Sequence, residues 1–175
     1  MPADPASDRL PGVEGTTLRP IRPEDEPFLR EVYAGTRAEE MALVNWDESQ
    51  KRAFVNMQFD AQHRYYTDQF RGAEFLIVEQ DGRPIGRLYL DRPEEEIRII
   101  DIALLPEKRN SGIGTALIRE VLREGAEAAK PVRIHVEQFN PARRLYNRLG
   151  FTEIGTNGVY FLMEWRPGAA LAATE

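Results

Sequence analysis

Cysteine is absent from the chain. That excludes disulfides, thiolate metal sites and a cysteine nucleophile. Histidine is scarce: His63 and His135 are the only two, and they stand far apart. So small a supply of donors disfavours a transition-metal centre, and no metal is expected. No apolar run approaches the length of a membrane span, and the opening stretch MPADPASDRLPGVEG has no hydrophobic signal core. No membrane association is expected, and the expected compartment is the cytoplasm. Positive charge is outweighed, with 23 Lys and Arg against 29 Asp and Glu, a net charge of −6. Non-specific nucleic-acid binding needs a positive field, so no nucleic-acid partner is expected. A negative field instead favours cationic partners such as amines.

What remains is an ordinary globular composition: 175 residues, 42% apolar and 30% charged. That length corresponds to about one domain with a substantial core. Residues 1–15 are expected to be a disordered leader, rich in Pro, Gly, Asp and Ser. Residues 16–166 are expected to form a single domain and 167–175 a flexible tail.

The central stretch is Glu96 to Lys130, EIRIIDIALLPEKRNSGIGTALIREVLREGAEAAK. Its pattern predicts a buried strand over Ile97 to Leu105, a loop over Glu107 to Ser111 and a helix from about Gly112 to Lys130. Gly112 and Gly114 stand where loop becomes helix. A helix N-terminus carries unpaired N–H groups and the positive end of the dipole, so Arg109 to Thr115 is expected to bind an anion, above all phosphate. No Lys follows either glycine, which excludes the GxxxxGK[ST] phosphate loop. Leu117 stands where a dinucleotide fingerprint needs its third glycine.

Thr16 to Arg22 is predicted as a first strand and Pro23 to Arg37 as a helix, with Pro23 in its first turn. Asp47 is expected to cap a second helix from Glu48 to about Gln69. Glu74 to Gln80 and Arg83 to Leu90 read as a hairpin around Asp81-Gly82, a strong turn signal. Val132 to Gln138 is predicted to lie parallel to the central strand, because a helix connects them. Asn140 to Leu149 is predicted as a short helix, with Asn140 as N-cap, Pro141 as first residue and Gly150 beyond its end. Phe151 to Thr156 and Val159 to Trp165 are the last strands, around a turn at Asn157-Gly158.

Two segments carry a resemblance to a known family. Arg109-Asn110-Ser111-Gly112-Ile113-Gly114 resembles the R/Q-x-x-G-x-G/A signature of the GNAT superfamily, the general N-acetyltransferases. Asn140 to Phe151, NPARRLYNRLGF, is similar to the second signature, N-x-x-A-x-x-L-Y-x-x-L-G-F, with Asn140 to Tyr146 one residue tighter. They occur in family order, separated by one helix and one strand, and the likeness in element order runs from about Phe75 to Trp165. It implies a mixed α/β fold of about seven mostly antiparallel strands, splayed at the centre and flanked by about four helices. It also implies acetyl-CoA as acyl donor. Ile102, Ala103 and Leu104 would offer backbone groups to the pantetheine arm. Arg109, Asn110, Ser111, Gly112, Ile113, Gly114 and Thr115 would cradle the pyrophosphate. Asn140 would hydrogen-bond the cofactor, and Tyr146 would protonate the leaving sulfur. Trp46, Phe59, Tyr65 and Tyr66 would line an acceptor pocket, although an aromatic stripe on a helix equally suits core packing.

The expected reaction is direct attack of a primary amine on the thioester, in a ternary complex. The amine of a small molecule or of a protein is the expected partner, and the protein is a monomer or homodimer. An alkylammonium, with a pKa of ~10.4, must lose a proton first, either to a carboxylate or through a water relay. Some family members carry a glutamate in mid-strand where Arg98 stands here, so the base falls to Asp101 or Glu96, with His135 and Glu137 as further candidates. A regular strand puts Glu96 and Asp101 on opposite faces, and a bulge alters that count. The loop has Asn110 and Ser111 where an R-G-K-G form is frequent, keeping the backbone donors and losing a cation. A longer acyl-CoA, or a noncatalytic acyl-CoA-binding module of the same fold, are the competing expectations.

Overall fold

A computed structural model describes residue 13 and residues 15–168. The expected leader and tail therefore lie largely outside the described residues. At their inner ends, the Gly15 carbonyl accepts a hydrogen bond from Asp81 N–H, 2.9 Å, and residues 167–168 form a turn.

The chain begins with strand β1 (Thr16–Pro20). A 3-10 turn over Pro23–Asp25 then leads into helix α1 (Glu26–Ala42). The helix was expected to start at Pro23. The turn forms instead because the Asp25 carboxylate is held by Arg22 N–H at 2.7 Å and by both Arg19 Nη groups at 2.8 Å. Helix α2 (Glu48–Gln69) opens with a reciprocal cap: Asp47 Oδ1 accepts from Gln50 N–H and Gln50 Oε1 from Asp47 N–H. Strands β2 (Glu74–Gln80) and β3 (Arg83–Asp91) form the expected hairpin. Both turn residues, Asp81 and Gly82, have positive φ, the geometry that matches strand twist.

Strand β4 (Ile97–Leu104) follows, then a 3-10 turn over Pro106–Lys108, helix α3 (Ile113–Ala128) and strand β5 (Val132–Glu137). Helix α4 covers Arg143–Arg148, and strands β6 (Thr152–Asn157) and β7 (Tyr160–Trp165) complete the sheet. Two expectations shift by a few residues. Helix α4 starts at Arg143, because Pro141 and Ala142 belong to a turn in which Asn140 Oδ1 accepts from Ala142 N–H, 2.9 Å. The β6–β7 link is Gly158-Val159, with Gly158 at φ 59°, since a tight hairpin accepts glycine at its first central position.

The seven strands form one sheet in the order β1-β2-β3-β4-β5-β7-β6. Of the neighbouring pairs, β4 and β5 alone run parallel, as a helical crossover requires. One face packs on α3 and α4, with Ile97, Ile99, Leu117, Val121 and Met163 in its core. The other packs on α1 and α2 through Leu29, Tyr33, Phe59, Ile77 and Tyr89. No helix among the described residues is long and apolar enough to cross a membrane.

Candidate active site

Strands β4 and β5 pair only from Ile97–Ile99 to Val132–Ile134. Beyond that point β4 stays with β3, while β5 stays with β7. The sheet therefore splays, and the edge of β4 from Ile100 to Leu104, including Ile102, Ala103 and Leu104, has no strand beside it. Close approach of β3 fixes this edge: a Cβ on Gly86 would stand 2.4 Å from the Ala103 carbonyl oxygen.

The loop after β4 ends in a helix start rich in free donors. Arg109 N–H is used within its own turn, on the Pro106 carbonyl. The N–H groups of Asn110, Ser111, Gly112, Ile113, Gly114 and Thr115 have no acceptor among the described residues; Ala116 N–H is the first to close on α3. Gly112 has φ 86°, a conformation natural to glycine, which turns the chain into the helix. Gly114 has no such requirement, and a Cβ there would meet only Leu104 Cδ1 at 3.9 Å. A helix-interior glycine is about 1 kcal/mol less favourable than alanine. Neither packing nor φ demands this one, and the space beside its backbone is open. The Arg109 side chain points back to the Leu104 carbonyl, at 3.4 Å, and Lys108 reaches Gln80.

Helix α4 carries Tyr146, buried in the core on the α3 side of the sheet. Its end is a Schellman motif: Gly150, at φ 98°, donates to the Asn147 carbonyl, and Phe151 to the Tyr146 carbonyl. The accompanying apolar contact is Phe151 edge-on to the Tyr146 ring, at 5.6 Å. The sequence Leu-Gly-Phe thereby fixes the tyrosine. Its hydroxyl has no hydrogen-bond partner among the described residues. Burial pushes the phenol above its ordinary pKa, and the nearby charge of Asp101 adds to the shift.

Asp101 owes its facing to a bulge. Tyr89 pairs with Asp101 but Leu90 pairs with Ile99, leaving Ile100 as the extra residue. Strict alternation would set Asp101 on the face of Ile99, towards α3. The bulge turns it towards α1 and α2. There Asp101 Oδ2 accepts from Arg87 Nη2 at 2.8 Å and from the Tyr66 hydroxyl at 3.1 Å. Burial, and then the Asp101 charge, push the Tyr66 phenol up.

Glu96 lies elsewhere. One oxygen is 3.1 Å from Arg98 and the other 3.2 Å from Arg133, so both are engaged. His135 contacts Arg98, and burial together with that positive charge lowers its pKa. Glu137 meets Arg37 at 3.5 Å. Of the four aromatic candidates, only Tyr66 is joined to Asp101. Phe59 is buried against Tyr33 and stacked on His63. Trp46 packs edge-on to Phe54 at the start of α2, and Tyr65 is exposed beside Phe70. Asn140 caps the turn before α4. A cleft of about 410 Å³ lies away from these residues, between α1 and α2, lined by Ala38, Met41 and Val55.

Sequence reasoning missed Arg87 and Gln62, which contact each other at 2.9 Å, and the Arg37 to Tyr33 hydroxyl bond at 3.2 Å. A signal for Arg87 was present: a charge amid Ile85, Leu88, Tyr89 and Leu90 has to find a buried partner.

A model of the acetyltransferase (GNAT) family matches residues 40–151, starting earlier and ending sooner than the Phe75 to Trp165 likeness. An N-alpha-acetyltransferase of Sulfurisphaera tokodaii is 28% identical over 97 residues, which is 47% of this chain and 58% of that protein. The chain thus spans little more than half the length of that curated relative. The PaiA N-acetyltransferase of Thermoplasma acidophilum, solved with coenzyme A, superposes with a TM-score of 0.63 at 20% identity, over 86% of this chain and 98% of that one. An acetyltransferase of Thermus thermophilus gives 0.62 at 19% identity, over 89% and 98%. The ribosomal-protein-S18-alanine N-acetyltransferase of Escherichia coli gives 0.57 at 18% identity, over 86% and 93%. These structures share the fold, and the seven-stranded sheet of this chain is the one expected from the sequence. The family match, spanning both signatures and the helix that supplies Tyr66, shows that this chain belongs to the acetyltransferase (GNAT) family.

Proposed function

We propose that the protein transfers an acetyl group from acetyl-CoA to a primary amine, by direct attack in a ternary complex. The observation that carries this is the run of six free N–H groups from Asn110 to Thr115, next to the open edge of β4. Such a run, at the positive end of a 16-residue helix, suits a pyrophosphate. The open space at Gly112 and Gly114 fits a ligand lying on the backbone.

Bound acetyl-CoA supplies an activated thioester carbonyl. The free edge from Ile102 to Leu104 would hold the amides of its pantetheine arm. Asn140 Oδ1 is already committed to Ala142, so its contribution is a donated N–H. Tyr146, kept protonated by burial, gives its proton to the departing sulfur. Asp101 takes the proton of the incoming ammonium through Oδ1, which no described residue occupies. Glu96, with both oxygens engaged, is the less suited of the two carboxylates. The acceptors of first choice are cationic amines, given the net charge of −6. The name of the Sulfurisphaera tokodaii relative adds α-amino groups to that set.

The test is calorimetric titration with acetyl-CoA, CoA and ATP, followed by thiol release with polyamines, lysine peptides and peptide N-termini. Binding of both CoA forms but not ATP, with amine-dependent thiol release, is the expected result. Binding without release from any acceptor would leave a noncatalytic acyl-CoA module. Absence of CoA binding would make the glycine loop a structural turn.

A further inference from the structure

Arg87 is 2% exposed, in the middle of an apolar strand. Burying a guanidinium costs several kcal/mol in desolvation, which an ion pair repays only with good geometry and full hydrogen bonding. Here the satisfaction is incomplete. Arg87 Nη2 serves Asp101 and Gln62, but Arg87 Nε and the buried Tyr89 hydroxyl have no partner among the described residues. A charge kept for stability alone would be better replaced by an apolar side chain. Its placement makes sense through Asp101. Two donors from different elements, Arg87 of β3 and Tyr66 of α2, converge on one carboxylate oxygen, Oδ2. Oδ1 receives none. Convergence on one oxygen fixes the rotation of the carboxylate, and Asp101 keeps partial exposure beside the unpaired edge of β4.

We propose that Arg87 is a positioning residue for acetyl transfer: with Tyr66 it locks Asp101 Oδ2 and presents Oδ1 to the acceptor amine. This rests on the acetyltransferase function proposed above. Arg87 touches neither donor nor acceptor, and its influence passes through Asp101.

The test is a double-mutant cycle on the full chain, with Arg87→Met, Tyr66→Phe, Asp101→Asn and the two pairs that include Asp101→Asn. Thiol release from acetyl-CoA is followed with the fastest amine of the panel, or with water as the only acceptor. Arg87→Met is expected to lower kcat about tenfold or more and Tyr66→Phe about threefold, with the calorimetric Kd for acetyl-CoA held within about twofold. On the Asp101→Asn background either substitution is expected to cost less than about twofold more. Full additivity with Asp101→Asn, or a loss confined to acetyl-CoA affinity, overturns the proposal. Should Arg87→Met fail to fold, the Tyr66→Phe cycle decides alone, because it removes one hydroxyl and leaves the ion pair. A wild-type protein that binds acetyl-CoA but releases thiol with no amine and with no water overturns the catalytic function and this inference together. An active wild type with an additive cycle overturns this inference alone.

Discussion

Two Gly→Ala substitutions near the same stretch of β4 should act in opposite directions. At Gly86 the new methyl would lie 2.4 Å from the Ala103 carbonyl oxygen, 2.6 Å from Leu104 Cδ2 and 3.1 Å from Leu104 Cα. Two of these three are backbone atoms, so β4 itself has to move. Overpacking of this kind costs about 1–3 kcal/mol. Restricting the unfolded chain returns about 0.4–1 kcal/mol. The net loss of roughly 1–2 kcal/mol corresponds to a Tm lower by about 2–8 °C for a chain of this size. At Gly114 the nearest atom is a flexible Leu104 methyl at 3.9 Å. Alanine there fits and gains the entropy without the clash, raising Tm by about 1–4 °C. The effect on ligand follows the same geometry. Gly86→Ala displaces the edge proposed for the pantetheine arm, so acetyl-CoA affinity is expected to fall, whereas Gly114→Ala leaves the backbone donors in place. Thermal unfolding followed by circular dichroism, with calorimetric titration of acetyl-CoA, measures both effects. The reasoning fails if Gly86→Ala melts at or above Gly114→Ala, or binds acetyl-CoA as tightly as the wild type.

The other predictions concern the phenol and the acid limb of stability. Tyr146→Phe should keep the ring contact with Phe151, the melting temperature and acetyl-CoA affinity, yet lower kcat about 10–100-fold in the thiol-release assay. Unchanged turnover would remove Tyr146 from the proton step. Asp25 is held below the usual carboxylate range, by its hydrogen bonds from Arg19 above all. A depressed folded value contributes stability above the unfolded value of ~3.9 and loses it as pH falls through the folded one. Asp25→Asn should therefore be the less stable protein at pH 7, with the gap narrowing below about pH 4. A gap constant from pH 7 to pH 2 in urea unfolding would contradict that linkage.

Much of the site's frame was legible because local signals coincided. Gly112 and Gly114 marked a helix start, the run from Ile113 to Leu122 supplied the apolar face, and Leu-Gly-Phe at 149–151 announced the end of α4. Each depends on neighbours in sequence alone. The aromatic stripe of α2 was only half read. Phe59 and Tyr66 are seven residues apart and share a face, while Tyr65 is turned about 100° away, and only the inward face reaches the sheet. Helical phase distinguished Tyr65, but not which inward ring would end in the core and which at Asp101. Burial in the α1–α2 core decided that for Phe59. That Arg87 needs a buried partner was legible, but which partner was not, since Asp101 lies on the next strand across a register that the sequence does not announce.

That register is where the site originates. One extra residue, Ile100, sits in β4 just beyond the last β4–β5 pair, Ile99 with Ile134. A bulge raises local twist and bends its strand. Here the bend coincides with the parting of β4 from β5, which exposes the edge that follows. The same residue reverses the facing of everything after it, so Asp101 turns from the α3 core to Arg87 and Tyr66. Removing Ile100 would thus be expected to close the edge and return Asp101 to an apolar core in a single step. The open edge and the aimed carboxylate are consequences of one insertion, which explains why neither could be read from β4 as a regular strand.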